Sequence, residues 1–208
     1  MEGENILEFD EAIEQRRSIR CYTEDPVPKE LIKELIEAAR KAPSATNRQP
    51  WRFLVVQDED MKNRLQEGIA QSFVVRAPTI IVCCLDRHTF TRQLIEKRVE
   101  ELIDANVMSR EVANMLYQRK LPQTVEETGI PVSAYLDLGI AVEQIVLKAT
   151  SMGLGSCWVR MFDQERVGEI LSLPVAITPV VLLPVGYPAE DPSMRPRMSL
   201  DEILLDFI

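Results

Sequence analysis

Apolar positions along this chain recur in two periods, and the changes between them mark out the elements. Residues 29–42 carry Leu31, Leu35, Ala38 and Ala42 on one helical stripe, with Ile32, Ile36 and Ala39 beside it. Glu30, Lys33, Glu34, Glu37 and Lys41 turn outward. Pro28 stands near the start of this helix and Pro43 stops it. A shorter helix precedes it: Asp10 can cap a segment that ends near Arg16 or Arg17, with Phe9 and Ile13 on its buried side. Trp51 to Gln57 reads as a strand, and so does Thr79 to Leu85, which is apolar enough to be buried on both faces. Met61 to Ser72 reads as a helix. The highly charged stretch from Arg92 to Arg119 is helical in period, with Ile95, Val99 and Leu102 on one face. Pro122 and Pro131 bracket a loop, Ser156 to Arg160 and Val180 to Val185 supply a third and a fourth strand, and an acidic amphipathic tail runs from Ser199 to Ile208.

The stretch from Val132 to Met152 differs from the other helices. Leu136, Ile140, Ala141, Ile145, Val146, Leu147 and Ala149 spread apolar surface over most of its circumference, so protein must enclose it. In a chain of 208 residues, a subunit interface is one economical enclosure. Short apolar strands separated by long helical segments imply a sheet covered on both faces. A final strand formed by the tail, including one added to a neighbouring subunit, is compatible with the pattern but not shown by it.

Length and composition fit one domain over 1–208, able to bury roughly 70% of its unfolded surface. There is no internal repeat, low-complexity segment or Gly/Ser linker to divide it. A net charge of −9 argues against a nucleic-acid partner and against an anionic membrane surface, both of which attract Lys and Arg. Any bound phosphate must be held by a local basic cluster. Met1-Glu2-Gly3-Glu4-Asn5 lacks the positive start and apolar run of a signal peptide, which points to the cytoplasm. Cys21, Cys83, Cys84 and Cys157 have no C-x-x-C spacing and His88 is the single histidine, so no metal site is expected. Cys83 and Cys84 point to opposite faces of their strand, and all four cysteines read as buried, reduced thiols.

Four segments could carry chemistry. Arg16-Arg17-Ser18-Ile19-Arg20 places three guanidiniums and a hydroxyl within five residues, a dense anion-binding group, or else a solvated basic turn that satisfies the end of the preceding helix. Pro43-Ser44-Ala45-Thr46-Asn47-Arg48-Gln49-Pro50 has small residues that let the backbone approach a flat ligand, with Asn47 and Gln49 as donors and acceptors; it also suits a plain helix-to-strand connection. Gly153-Leu154-Gly155-Ser156-Cys157-Trp158 ends a helix and enters a strand, without the G-x-G-x-x-G spacing of a dinucleotide site. Arg195-Pro196-Arg197 follows Gly186-Tyr187-Pro188 and gains meaning only if the fold joins it to Arg16.

In order and spacing, these four motifs resemble the FMN-binding nitroreductase family over about residues 8 to 205. The resemblance implies an α+β domain with a mixed β-sheet flanked by helices, and an intertwined homodimer with FMN at the subunit interface. By position, Arg16, Ser18 and Arg197 match phosphate ligands, with Arg195 close by. Arg17 matches a residue along the flavin, and Arg20 one near the pyrimidine edge of the ring. Pro43, Ser44, Ala45 and Asn47 match a loop that packs on the flavin and is donated by the other subunit. Trp158, Val159, Arg160 and Met161 match a stretch whose backbone lies near flavin N5; relatives often carry Gly or an acidic residue where Arg160 or Met161 stands. Gln71 is the nearest counterpart of an asparagine often found ahead of the second strand.

The resemblance further implies an NAD(P)H-dependent oxidoreductase that passes electrons to nitroaromatic or quinone-like acceptors in a ping-pong cycle. Arg20 would supply positive charge where the reduced ring becomes anionic. The segment 86–128 would cover the site, with Phe90 and Tyr117 as stacking or as packing residues. Two alternatives stay open at this level: related FMN chemistry (reductive dehalogenation or an oxygen-dependent reaction), and a non-catalytic flavin-binding protein.

Overall fold

The central strand of the sheet is the most apolar segment of the chain, and the rest of the fold is arranged to bury it. The computed structural model describes residues 8–208, and the acidic stretch Met1 to Asn5 lies outside them. In chain order the elements are α1 (Phe9–Gln15), α2 (Lys29–Arg40), β1 (Trp51–Val56), α3 (Glu59–Leu65), α4 (Ser72–Arg76), β2 (Thr79–Asp86), α5 (Arg92–Asp104), α6 (Arg110–Tyr117), α7 (Val132–Ser151), β3 (Gly155–Ser156), α8 (Gln164–Ile170), β4 (Ile177–Gly186) and α9 (Leu200–Ile203). Short 3-10 turns occupy Ala45–Asn47 and Arg87–Phe90.

The strands lie in the order β1-β2-β4-β3. Each ladder is antiparallel: Trp51 faces Leu85, Thr79 faces Val185, and Ser156 faces Val185 from the other side. Val159 continues the β3 edge by pairing with Leu182, and one parallel bridge joins Ser18 to Ser156. Every residue of β2 is buried. Its alternate side chains feed two separate cores, as the two-residue period of a strand requires. Ile81, Cys83 and Leu85 pack with α2 and α7, whereas Ile80, Val82 and Cys84 pack with Leu65, Val74 and Val167 on the opposite face. The adjacent cysteines thus sit in different cores, as expected. Cys21, by contrast, is exposed, so the expectation of four buried thiols holds for three.

Several boundaries depart from the sequence reading. The helix expected over Met61 to Ser72 is shorter and starts earlier: α3 ends at Leu65, and α4 begins only at Ser72. Between them Gly68 packs closely, since a Cβ there would come within 3.0 Å of Val167 Cγ2, and its carbonyl accepts the Asp163 amide at 2.9 Å. The charged stretch from Arg92 likewise divides, with Asn106 in the left-handed region and Ser109 capping α6 through the Val112 amide. Helix α1 is capped by a reciprocal Glu8–Glu11 box rather than by Asp10. It buries Ala12, which lies about 100° round the helix axis from Ile13, while Phe9 and Ile13 stay exposed.

Helix α7 packs against α2 and β2 through Leu138, Ala141, Val142, Ile145 and Val146. Its outer face leaves Val132, Leu136 and Ile140 uncovered within the chain. The tail is uncovered too: beyond a capped single turn, Leu205 and Phe207 are 99% and 87% exposed. Among the described residues no helix is long and apolar enough to cross a membrane.

Candidate functional site

The basic run beyond α1 is drawn onto the sheet by backbone pairing. The Ile19 amide donates to the Ser156 carbonyl at 2.9 Å, and Gly155 is required there because a Cβ would stand 2.7 Å from Ile19 Cγ1. The chain beyond β4 closes on the same segment. The Ala189 amide donates to the Cys21 carbonyl at 3.0 Å, and Glu190 accepts from the amides of both Arg20 and Cys21. Residues 18–21 are therefore gripped from both sides.

These contacts gather charge around Cys157. Burial pushes its thiol above the usual value, while the charge of Arg20, a hydrogen bond with Ser18 and the charge of Arg195 oppose that rise. Arginines from the two ends of the sequence thus act on one buried sulfur. The Arg20 guanidinium also lies over Phe73, 5.9 Å from the ring centroid. Two residues before Phe73, at the start of α4, Gln71 Oε1 is buried with no hydrogen-bond partner among the described residues. Arg17 instead donates to the Glu14 and Arg16 carbonyls at 2.6 and 2.9 Å, satisfying the end of α1. Arg16 is the residue that ends that helix, and Arg197 donates to the carbonyls of Arg195 and Pro196.

From Ser156 the edge continues towards mid-sheet. Val159 exchanges hydrogen bonds with Leu182 at 3.0 and 2.9 Å, and Trp158 Nε1 donates to Glu143 Oε2 at 3.1 Å. Arg160 and Met161 follow with exposed side chains.

The small-residue loop is built differently. Thr46, Asn47 and Gln49 all have positive φ, between 50° and 55°. For residues other than glycine this conformation costs roughly 1–2 kcal/mol each, less for Asn, so the surroundings must over-determine it. They do. The Ala45 amide donates to Asp137 Oδ1 at 3.1 Å, the Gln49 amide donates to Ser44 Oγ at 2.9 Å, and Gln49 Nε2 donates to Asn47 Oδ1 at 3.1 Å. Arg48 lies over Phe90, 5.1 Å from the centroid; burial lowers its pKa and nearby Asp137 offsets part of that. At the exit, Arg52 donates to the Gln49 and Trp51 carbonyls and pairs with Asp86 Oδ2 at 2.7 Å. Pro43, Ala45 and Asn47 keep exposed surfaces. Phe90 is buried beneath this loop, and Tyr117 donates to Glu100 Oε1 at 2.7 Å, so both are packing residues.

Within one chain the two groups stand at opposite corners of the sheet. From Ser156 the register runs through Val185 to Thr79, whereas from Trp51 it runs through Leu85 to Thr178. Thr178 to Val185 spans roughly 24 Å of extended strand. Helix α7 measures the same interval independently: Asp137 touches the loop, Ser151 leads into β3, and the rise between them is roughly 21 Å. The fold brings Ser18 and Arg20 to the β3 edge beside Glu190 and keeps Ser44, Ala45 and Asn47 of the same chain away from them.

Asp137, Glu190, Phe73 and Arg52 are additions to the sequence reading. Only Asp137 had a signal, a carboxylate between Leu136 and Leu138 in a largely apolar helix.

The sequence and fold have counterparts among known proteins. The profile of the nitroreductase family matches residues 13–187. The NADH dehydrogenase of Thermus thermophilus is 35% identical over 206 residues, covering 96% of each chain. The FMN reductase (NAD(P)H) of Bacillus subtilis is 32% identical, covering 92% of this chain and 70% of that one. A protein of Exiguobacterium sibiricum solved in complex with FMN superposes with a TM-score of 0.79 over 97% of this chain and 98% of its own; at 23% identity it speaks for the fold. The chain belongs to the nitroreductase family, as the four motifs implied, and its α+β fold is the family's.

Proposed function

We propose that this chain is an FMN-dependent oxidoreductase that works as a cytoplasmic homodimer and carries electrons from NAD(P)H to nitroaromatic or quinone-like acceptors in a ping-pong cycle. The observation that carries the reading is the seating of the basic run 16–20 on the β3 edge, through the Ile19–Ser156 hydrogen bond, with Ala189 and Glu190 of the chain's far end tied to the same segment, in a protein of net charge −9. The names of the relatives, an NADH dehydrogenase and an FMN reductase, support both the donor and the cofactor.

The residues fit FMN. Arginine forks and a hydroxyl are the donor set a phosphate requires, and Gln71 Oε1 and Asp137 Oδ2 are buried acceptors still unpaired among the described residues. When bound, FMN supplies hydride acceptance from NAD(P)H and electron delivery to a second substrate on the same open face. The chain's task is holding and tuning. Arg16, Ser18, Arg195 and Arg197 hold the phosphate, Arg17 lies along the flavin, Arg20 places charge at the pyrimidine edge, and residues 158–161 run beside the ring. Pro43, Ser44, Ala45 and Asn47 come from a second copy, since a loop roughly 20 Å away in the same chain cannot close the site. The uncovered apolar surfaces of α1, α7 and the tail are the surfaces such a dimer would bury. Residues 86–128, within the single domain 1–208, cover the site.

The test is direct. Purified protein should be yellow, release FMN on denaturation, and bleach when mixed anaerobically with NADH or NADPH. A colourless preparation that takes up no FMN at micromolar concentration would overturn the proposal.

A further inference from the structure

We infer that Asp137 is the positioning residue of the 43–50 loop, holding the left-handed turn in the shape that meets the cofactor; the link to FMN rests on the function proposed above. Asp137 is 6% exposed and sits in α7 on the side of Ala134, Leu138 and Ala141, which face the main core. A carboxylate in such a place is costly unless its oxygens are used. Oδ1 accepts the Ala45 amide at 3.1 Å, and Oδ2 is buried with no partner among the described residues. Its hydrogen bond among the described residues thus goes to one backbone amide, with Arg48 nearby, and that amide opens the turn whose next two residues, Thr46 and Asn47, have positive φ.

The rest of the loop explains why one amide matters. Its far end is clamped separately: Arg52 donates to the Gln49 carbonyl at 3.2 Å and to the Trp51 carbonyl at 2.7 Å, and buried Asp86 anchors Arg52. Ser44 Oγ closes the loop on itself through the Gln49 amide. At the entry Asp137 takes the Ala45 amide from outside the loop, while the Ala45 carbonyl accepts from Arg48 Nε at 3.3 Å within it. Rigid helix α7 therefore sets where Ala45 stands, and with it the exposed edge formed by Pro43, Ala45 and Asn47.

The experiment compares the full-length wild type with Asp137→Ala and Asp137→Asn by amide hydrogen exchange, FMN titration and visible circular dichroism of the bound flavin. In Asp137→Ala, exchange across 43–50 should rise at least about tenfold, with 79–86 in β2 unchanged. FMN should bind about tenfold more weakly, in keeping with the loss of one charge-assisted hydrogen bond, and the flavin dichroism should change. Asp137→Asn keeps an acceptor oxygen and should restore most of each effect, which a general loss of packing would not. Unchanged exchange across 43–50, an equal rise across 79–86, or an asparagine variant as damaged as the alanine one would each overturn the assignment. Faster loop exchange with unaltered FMN affinity and dichroism would overturn it as well, by separating the loop from the cofactor. Were the wild type to take up no FMN, the functional reading would fall, and the exchange comparison would still decide the hold of Asp137 on the loop.

Discussion

Ile19 and Ser156 are joined by an amide-to-carbonyl hydrogen bond of 2.9 Å, with the Ile19 side chain packed directly over Gly155. That contact seats the basic run on the β3 edge. A methyl group at Gly155 meets Ile19 at Cβ as well as at its branch atoms, so the isoleucine cannot swing aside alone.

Gly155→Ala should consequently destabilise the protein by about 1–3 kcal/mol, the usual cost of overpacking. The flavin-to-protein ratio should fall with it. Denaturant midpoint and absorbance ratio measure both, and an unmoved midpoint would show that the strand can retreat.

Arg20→Ala should make bound FMN harder to reduce while some FMN is retained. The side chain lies over Phe73 and is one of several cations at this corner, so removing it withdraws charge without emptying the site. Redox titration reads the shift, and an unchanged potential would remove Arg20 from the ring.

Thiol titration should divide the four cysteines one to three. Cys21 is exposed. Burial pushes Cys84 up to about 12 and Cys83 well above its ordinary value, and it raises Cys157 too. At pH 8, Ellman's reagent should therefore find one fast thiol in the native protein and four after unfolding. Two or more fast thiols would mean that a core opens readily.

Tyr117→Phe should loosen α6 from α5. The Tyr117 hydroxyl donates to Glu100, which also receives Arg110 at 2.8 Å. The hydrogen bonds from Tyr117 and Arg110 hold the Glu100 carboxyl below its ordinary value of 4.5. The link is complete above that value and is lost as pH falls through the depressed one. Burial and the bond to Glu100 raise Tyr117 to about 12, so its share persists up to about pH 10 and fades as pH climbs through 12. Limited proteolysis between residues 104 and 110 should be faster in the variant at neutral pH, and the difference should shrink in acid.

Deleting residues 199–208 should favour the single chain. Among the described residues, Leu200, Ile203, Leu205 and Phe207 of the tail stay exposed. Light scattering should give twice the 23.7 kDa chain mass for the intact protein and a lower average for the truncated one. Equal masses would assign the tail another role.

How much of this could be read in advance depended on how local its cause was. The β2 run and α7 were legible because their apolar character is continuous, and Cys83 and Cys84 because strand geometry alone separates neighbours. The stop of α3 at Leu65 was not, and the close packing of Gly68 just beyond it is against Val167 on a helix distant in sequence. The orientation of Phe9 and Ile13 was misread because apolar side chains signal burial without saying by what. At the site, the arginines and the small-residue loop announced themselves by composition. Their separation is a property of strand register and helix length, and appears only when the sheet is assembled.

The two corners of the sheet have a thermodynamic consequence. A ligand that must touch both, with one contributed by each of two copies, is bound only as fast as the copies stay together, and it draws them together in turn. Cofactor affinity and subunit affinity become two readings of one coupling free energy, so dilution should shed flavin and excess flavin should resist dilution.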